Sequence, residues 1–353
     1  MSNTYFYQDK PIFGLDIGFS SLKVMQVDNT GKNKLITGYG ATNFDSKAIK
    51  NGVIVEPEII AKALKDLFEH NLIGEISTRR VSATIPASRT FNRTITLPKL
   101  SKKDLDEALL LEAEQYIPMP IDDLYMDYHI ISESDKGLEV FVVAVPKIIS
   151  NSYVDLMNIS GLEPVTLETS ISAASRLFVQ AEQSDLPSIL IDFGSLSSDI
   201  TIYDKGLIVT GTVSGGGDNF TDSIAKKLKI SHQESHIVKT KYGLGKSKKQ
   251  NEITEALTPL LDQLLREIKR IIRYYEDRSA TKSKISQVVT MGGGANLPGL
   301  SEYITDKLRL PTRMCDPWQH LDFSKLQPPN TIEKSMYVSV AGLALIDSKE
   351  VYK

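Results

Sequence analysis

The sequence predicts a two-lobed α/β protein with a compact α+β unit inserted into its first lobe. Three observations lead there. The chain has 353 residues, more than one hydrophobic core usually serves, so two or more lobes are expected. Segments 11–27 and 187–203 read PIFGLDIGFSSLKVMQV and PSILIDFGSLSSDITIY, each an apolar run, Asp-x-Gly, a Ser-rich turn and a second β-branched run. Between them lies a unit of different grain, in which alternating strands surround an amphipathic helix.

Asp16 and Gly18 of the first hairpin recur as Asp192 and Gly194 at the same offset. The pattern is strand, tight turn with a permissive glycine, strand. Further β-rich stretches follow each copy, at 35–44 and 207–213. Residues 81–85 and 91–97 (FNRTITL) read as strands. Ser101-Lys-Lys-Asp104 resembles a capping box, and a helix over 102–117 puts Leu105, Leu109, Ala113 and Ile117 on one face. Pro118 and Pro120 stop it. Strands at 124–132 and 138–145 precede a helix over 147–160, ended by Gly161 and Pro164. After Gly217 the spacing turns helical over 219–228, 231–242 and 253–278, with a basic loop at 243–250. A short strand, 287–291, runs into GGGANLPGL at 292–300. A helix at 300–308, a Pro/polar stretch at 316–330 and a last helix at 336–346 complete the reading.

Composition excludes several classes. The 41 Lys+Arg against 44 Asp+Glu leave −3, so no global basic field points to nucleic acid or an anionic membrane. A single cysteine, Cys315, permits no internal disulfide and no cysteine metal cage. The longest uncharged apolar stretches fall far short of the ~20 residues of a membrane span. The first residues, MSNTYFYQDKPIF, lack the form of a secretory signal.

Three Gly-rich turns begin where apolar strands end: Asp16-Ile-Gly18, Asp192-Phe-Gly194 and Gly292-Gly-Gly294. Backbone N–H groups at such turns bind phosphate well. Asp16 and Asp192 are placed to hold the waters of a hydrated Mg²⁺, and Lys23 to reach a phosphate as a point charge. Any one Asp-x-Gly could be a plain hairpin; two copies and a glycine triplet make that reading weak. Other motifs fail on spacing. Gly245-Lys246-Ser247 lacks the first glycine of a Walker A loop, Thr240 standing there. His232 and His236 flank Gln233 where a zinc protease needs Glu. Ser214 lies in no nucleophile elbow.

With these motifs the chain resembles the actin-like ATPase superfamily, a two-lobed fold of ribonuclease H-like ancestry. Within it, GLDIGFSSLKVMQV, EAEQYIPMPIDDL, VAVPKIISNSYVDLMNISGLEP, SGGGDNFTDSIAKKLKIS and MGGGANLPGL resemble the type IV pilus assembly family PilM and, more distantly, the cell-division family FtsA. The resemblance implies a first lobe of residues 1–80, 165–186 and 332–353, an insert of 81–164, a second lobe of 187–220 and 285–331, and a helical subdomain of 221–284. It implies ATP and Mg²⁺ as cofactors, with Asp16, Gly18, Ser20, Ser21 and Lys23 as the first phosphate clasp and Asp192, Gly194, Ser197 and Asp199 as the second. Gly216, Gly217 and Asn219 would pass the ribose and phosphates, Gly293, Gly294 and Ala295 would line the adenosine, and Glu267 and Arg270 would flank the adenine. Glu168 in LETSISAASRL matches a connecting-helix acid that positions the attacking water. Two departures stand out: Phe19 fills a turn position that is usually small, and His236 replaces a ribose-bonding Glu, leaving Lys239.

The function this implies is a nucleotide-gated cytoplasmic scaffold, at most a slow ATPase. It would hold the N-terminal tail of a PilN-like inner-membrane protein in a groove beside the insert, and so meet the membrane only through that partner. Self-association and contacts with other platform components stay open. A small-molecule kinase would need a general base facing a sugar pocket. An FtsA-like filament protein would end in a basic amphipathic helix, which DSKEVYK is not.

Overall fold

The computed structural model describes residues 10–29, 34–135, 137–181, 186–278, 283–331, 333–347 and 351. Strand β1 (Phe13–Ile17) pairs antiparallel with β2 (Ser21–Asp28), and β2 with β3 (Lys34–Asn43). Two short strands, β4 (Ile49–Lys50) and β5 (Val53–Ile54), lead to α1 (Pro57–His70). Pro57 opens that helix, where a missing N–H costs nothing. Ile60, Leu64 and Leu67 bury one face of it; the sequence reading passed over this helix. Then come β6 (Leu72–Gly74) beside β3 and β7 (Arg80–Ile85) parallel to β1.

The insert follows: β8 (Phe91–Leu97), α2 (Lys102–Glu114), β9 (Leu124–Ser134) and β10 (Gly137–Pro146), the strands forming a sheet in the order β8-β10-β9. Ser101 caps α2 by accepting from the Asp104 amide, which contributes about 1 kcal/mol. Leu105 and Leu109 pack on Ile95, Leu97, Val140 and Val142. Phe141, Val143 and Val145 alternate to the opposite face.

The chain then returns through α3 (Lys147–Ile159), β11 (Glu163–Thr169) and α4 (Ser170–Ala181). The second lobe begins with β12 (Ser188–Phe193), β13 (Ser197–Tyr203) and β14 (Leu207–Ser214). Helices α5 (Gly217–Leu228), α6 (His232–Lys241) and α7 (Gln250–Arg278) follow, then β15 (Gln287–Met291), α8 (Leu300–Leu308), β16 (Thr312–Met314), β17 (Leu321–Asp322) and α9 (Val338–Ala344). A reciprocal capping box fixes the start of α6: Ser231 Oγ accepts from the Glu234 amide and Glu234 from the Ser231 amide.

The hairpin repeat extends into a repeat of topology. The first sheet runs β11-β7-β1-β2-β3-β17 and the second runs β14-β13-β12-β15-β16. In each, a three-stranded antiparallel meander is continued by parallel strands on the side of its first member. Helices α4 and α9 lie between the sheets, where Leu177, Phe178, Val338 and Ala341 join Met25, Val27 and Ile36 of one lobe to Leu190, Val289 and Met291 of the other. Their close crossing requires Gly342, since a Cβ there would sit 1.8 Å from the Ala173 carbonyl oxygen.

Several expected boundaries need correction. Residues 81–85 are not part of the insert: β7 pairs parallel with both β1 and β11 in the first sheet. Helix α3 packs on α1 and β11 and belongs with that sheet too, so the insert proper lies between Pro86 and Pro146 rather than across 81–164. Residues 321–322 were expected in the second lobe, yet β17 pairs with β3 of the first. Trp318, Phe323, Tyr39 and Tyr337 cluster beside it as packed aromatics.

Candidate functional site

The β1–β2 register sets Lys23 opposite Asp16. The Lys23 ammonium lies 3.1 Å from Asp16 Oδ2, and both side chains are buried. Thr84 Oγ1, from β7, donates to Asp16 Oδ1 at 3.0 Å and accepts from the Ile17 amide at 2.9 Å. The turn closes with Gly18 N donating to Ser21 O at 2.9 Å, and Ser20 O accepts from Phe44 N. Lys23 also donates to Ser21 Oγ at 3.3 Å.

The second turn copies this frame with different charge. Gly194 N donates to Ser197 O at 3.0 Å, but the β12–β13 register puts Asp199, not a lysine, opposite Asp192. Burial, then the Asp199 and Asp16 carboxylates, push the buried Asp192 up to about 7, against the opposing pull of a Ser170 hydrogen bond and Lys23. Asp199 accepts from Thr212 Oγ1 at 2.5 Å, yet burial raises it to about 6. That Asp16 and Lys23 both act on Asp192 places the two turns face to face across the interlobe cleft.

The other glycine turns close on the second. Gly215 N, Gly217 N and Asp218 N donate to Leu196 O, Gly194 O and Ser195 O at 2.9, 2.9 and 2.8 Å. Asn219 Oδ1 accepts from Gly216 N, so its side chain caps α5. Lys239, buried on α6, donates to Gly217 O at 2.7 Å, and burial lowers its pKa. A Cβ on Gly294 would lie 2.9 Å from Phe193 Cβ and 3.5 Å from Gly217 N. Gly292 has φ 82°, and a Cβ there would come within 2.3 Å of Asp192 Oδ1. Its amide donates to Ser335 O, and Ser335 Oγ to its carbonyl.

Four residues do not join this cluster as expected. Glu267 and Arg270 pair with each other on α7, and Glu267 lies against Gly211 of β14, at the sheet edge away from Gly293. Ala295 turns its side chain into the second-lobe core. Glu168 is the last but one residue of β11 rather than part of the helix. Arg176 Nη1 and Nη2 grip its two oxygens at 2.8 and 2.9 Å, with Ser172 Oγ at 3.1 Å. The residue of α4 that reaches Asp192 is Ser170. Sequence reasoning missed Thr84, Ser170, Thr212 and Ser335. Ser170 lies within the quoted LETSISAASRL, two residues after Glu168, but the others are brought in by strand register and long-range packing.

The acidic trio suits a hydrated cation. Among the described residues no group of three or more His, Cys, Asp or Glu is placed to ligate an ion directly. Burial, then the facing Asp199 carboxylate, nevertheless raises Asp192, a cost that a cation held through its own waters would relieve. Elsewhere, a groove of 2120 Å³ runs between the insert and the lobes, lined by Tyr125, Phe141 and Val143 of the insert sheet, Arg176 and Val179 of α4, and Tyr203.

Comparison with known proteins fits this architecture. The profile described as "Type IV pilus assembly protein PilM" matches residues 14–348. The chain belongs to the PilM family. It is similar to a solved PilM-PilN type IV pilus biogenesis complex, with TM-score 0.82 and 24% identity over 95% of this chain and 98% of that one. It also resembles the ADP-bound MreB5 of Spiroplasma citri, with TM-score 0.55 and 14% identity over 98% of each chain. The cell division protein FtsA of Bacillus subtilis (strain 168) is 23% identical over 345 residues, covering 86% of this chain and 78% of FtsA. The two lobes expected from the hairpin repeat, and the actin-like fold implied by the resemblance, are thus found. Among the described residues of this PilM-family chain, no helix is long and apolar enough to cross a membrane.

Proposed function

We propose that this PilM-family protein binds Mg·ATP between its lobes and serves as a cytoplasmic scaffold of a type IV pilus or related assembly platform. The cargo is the cytoplasmic N-terminal tail of a PilN-like inner-membrane protein, lying in the groove beside the insert. One observation carries the nucleotide reading: four glycine turns close around the Asp16, Asp192 and Asp199 carboxylates at the meeting of two lobes. Membership of the PilM family and the likeness to a PilM-PilN complex support the partner.

Asp16 and Lys23 present a fixed, internally neutral wall to the phosphates. Asp192 and Asp199 hold the opposite wall negative, where Mg²⁺ would supply the charge that lets phosphate approach. Lys239 stiffens the Gly217 carbonyl and with it the loop under the sugar. Glu168 is tied to Arg176 and takes no part in positioning water, while Ser170 is a poor base, so turnover is slow. Part of the ATP binding energy, about 8 kcal/mol at micromolar affinity, can set the lobe angle and so the groove, provided open and closed forms bind ATP differently.

Titration of Mg·ATP into the wild type and Asp16→Ala tests the nucleotide reading. A pool of cytoplasmic tail peptides, with and without Mg·ATP, tests the partner. Saturable binding of one tail that changes with nucleotide, and fails to change in Asp16→Ala, is the expected result. Tight ATP binding with no tail bound, or turnover near ~10 per second on an added sugar, would favour a small-molecule kinase and overturn the scaffold.

A further inference from the structure

The insert belongs to the first lobe by covalent connection, through Pro86 and Pro146, yet it is hydrogen-bonded to the second. Thr94 Oγ1 of β8 donates to the Ile208 carbonyl of β14, and Thr210 Oγ1 of β14 donates to Asn92 Oδ1 of β8. Residues 87–89, just before β8, also touch β13 and β14. The same stretch of β14 serves the cleft. Thr210 and Thr212 lie two residues apart and so share a face; Thr210 holds the insert while Thr212 donates to Asp199 of the second phosphate turn. A cavity of 280 Å³ lies along this face, lined by Asn92, Tyr116, Asp199, Thr210 and Thr212 among others. It gives these side chains room to change partners.

β14 is suited to move. It is the edge strand of its sheet, paired along its backbone with β13 among the described residues, and its residues from Leu207 to Gly211 are half-buried. Any change of lobe angle must either carry the insert along or break the Asn92 and Thr94 bonds. The insert sheet that takes this pull on β8 presents β9 and β10 to the large groove.

We propose that the Asn92–Thr210 contact is the coupling element through which occupancy of the phosphate cleft sets the pose of the insert, and so the width of the groove. A charge arriving beside Asp199 shifts the Thr212 bond, β14 moves, and Asn92 draws β8 after it. This deepens the nucleotide reading above and rests on it. Coupling requires that both sites bias one element with two arrangements; β14 with its bound insert is that element.

The test uses the full chain with nitroxide labels at Glu133→Cys in the insert and Glu302→Cys on the second lobe, both exposed positions, while the native Cys315 is buried. Distances are measured without nucleotide and with saturating Mg·ATP. The labelled parent should show a shift in its distance distribution on Mg·ATP. Asn92→Ala/Thr210→Val should bind Mg·ATP within about threefold of the parent, since neither side chain reaches the glycine turns, and should lose most of the shift. Thr94→Val, which removes only the neighbouring bond, should show a partial loss and provides a second reading should the double variant fold poorly. An undiminished shift in the double variant, or no shift in a parent that binds Mg·ATP, overturns the coupling and leaves the nucleotide reading standing. A parent that fails to bind Mg·ATP in the titration overturns the nucleotide reading, and the coupling falls with it.

Discussion

The charge pattern of the second turn makes stability fall as pH rises, and Asp192→Asn isolates the effect. Burial foremost, with the Asp199 and Asp16 carboxylates, raises Asp192 from 3.8 to about 7. The folded state therefore binds more protons than the unfolded chain between these values, and the slope of stability with pH is negative in that window. Stability is fully present below about pH 4 and has been given up above about pH 7, some 4 kcal/mol in all at about 1.4 kcal/mol per tenfold change. From pH 5 to pH 8.5 the nucleotide-free wild type should lose about 2–3 kcal/mol through this group. Asp192→Asn keeps the shape and an acceptor for Ser170 while removing the charge, so it should gain over the wild type by that amount across the range. Asp199, raised to about 6 by burial, remains in both proteins but interacts with Asp192, so the difference between the two profiles reports the pair. Denaturation in a chelator, free of nucleotide, measures both profiles. Parallel profiles would refute the reasoning, because the Asp192 carboxylate would then be no more costly folded than unfolded.

Glu168→Gln should lower the melting temperature by weakening the Arg176 grip, with nucleotide turnover unchanged within about threefold; a hundredfold loss of turnover would return Glu168 to the reaction. Gly292→Ala should destabilise by at least ~1 kcal/mol, since alanine resists φ 82° and its Cβ meets Asp192 Oδ1, as thermal denaturation would show. Lys239→Met should weaken Mg·ATP binding about tenfold, the worth of one charge-assisted hydrogen bond. Its effect on melting should be small, because Thr221 Oγ1 also donates to Gly217 O. Asp199→Lys should raise the nucleotide-free melting temperature and abolish the Mg²⁺ dependence of nucleotide binding, read by titration with and without the ion.

Much of the fold was legible because it is written in short-range pattern. The Asp-x-Gly hairpins, the capped α2 and α6 and the glycine triplet before α8 all announce themselves within a few residues. The errors came where sequence neighbours part company. Val81–Ile85 alternates like its neighbour Phe91–Leu97, and nothing local says that Pro86 marks the passage from one sheet to another. β17 is two residues long and owes its place to β3, far away in sequence. Resemblance to a connecting-helix acid gives Glu168 a water-positioning role, whereas Arg176, about two turns into α4, grips its carboxylate. Glu267 lies on the face of α7 that meets β14 and holds the exposed Arg270, which spacing along a helix cannot tell from a face that meets a ligand.

The two lobes share a topology but not a charge, and that difference assigns their roles. In the first, register sets Asp16 against Lys23 and a threonine hydroxyl completes the pair, so the two charges offset each other. In the second, the same register sets Asp192 against Asp199, and the compensation comes from hydroxyl hydrogen bonds of Ser170 and Thr212 and from the more distant charge of Lys23. Burial foremost, and the facing carboxylate, make the charged form of Asp192 costly there, a cost that a cation held nearby would lower. That second lobe is the one whose edge strand holds the insert by Thr210. On the coupling proposed above, the two lobes are joined at the insert, and the cost of burying Asp192 beside Asp199 is what a bound Mg·ATP would relieve.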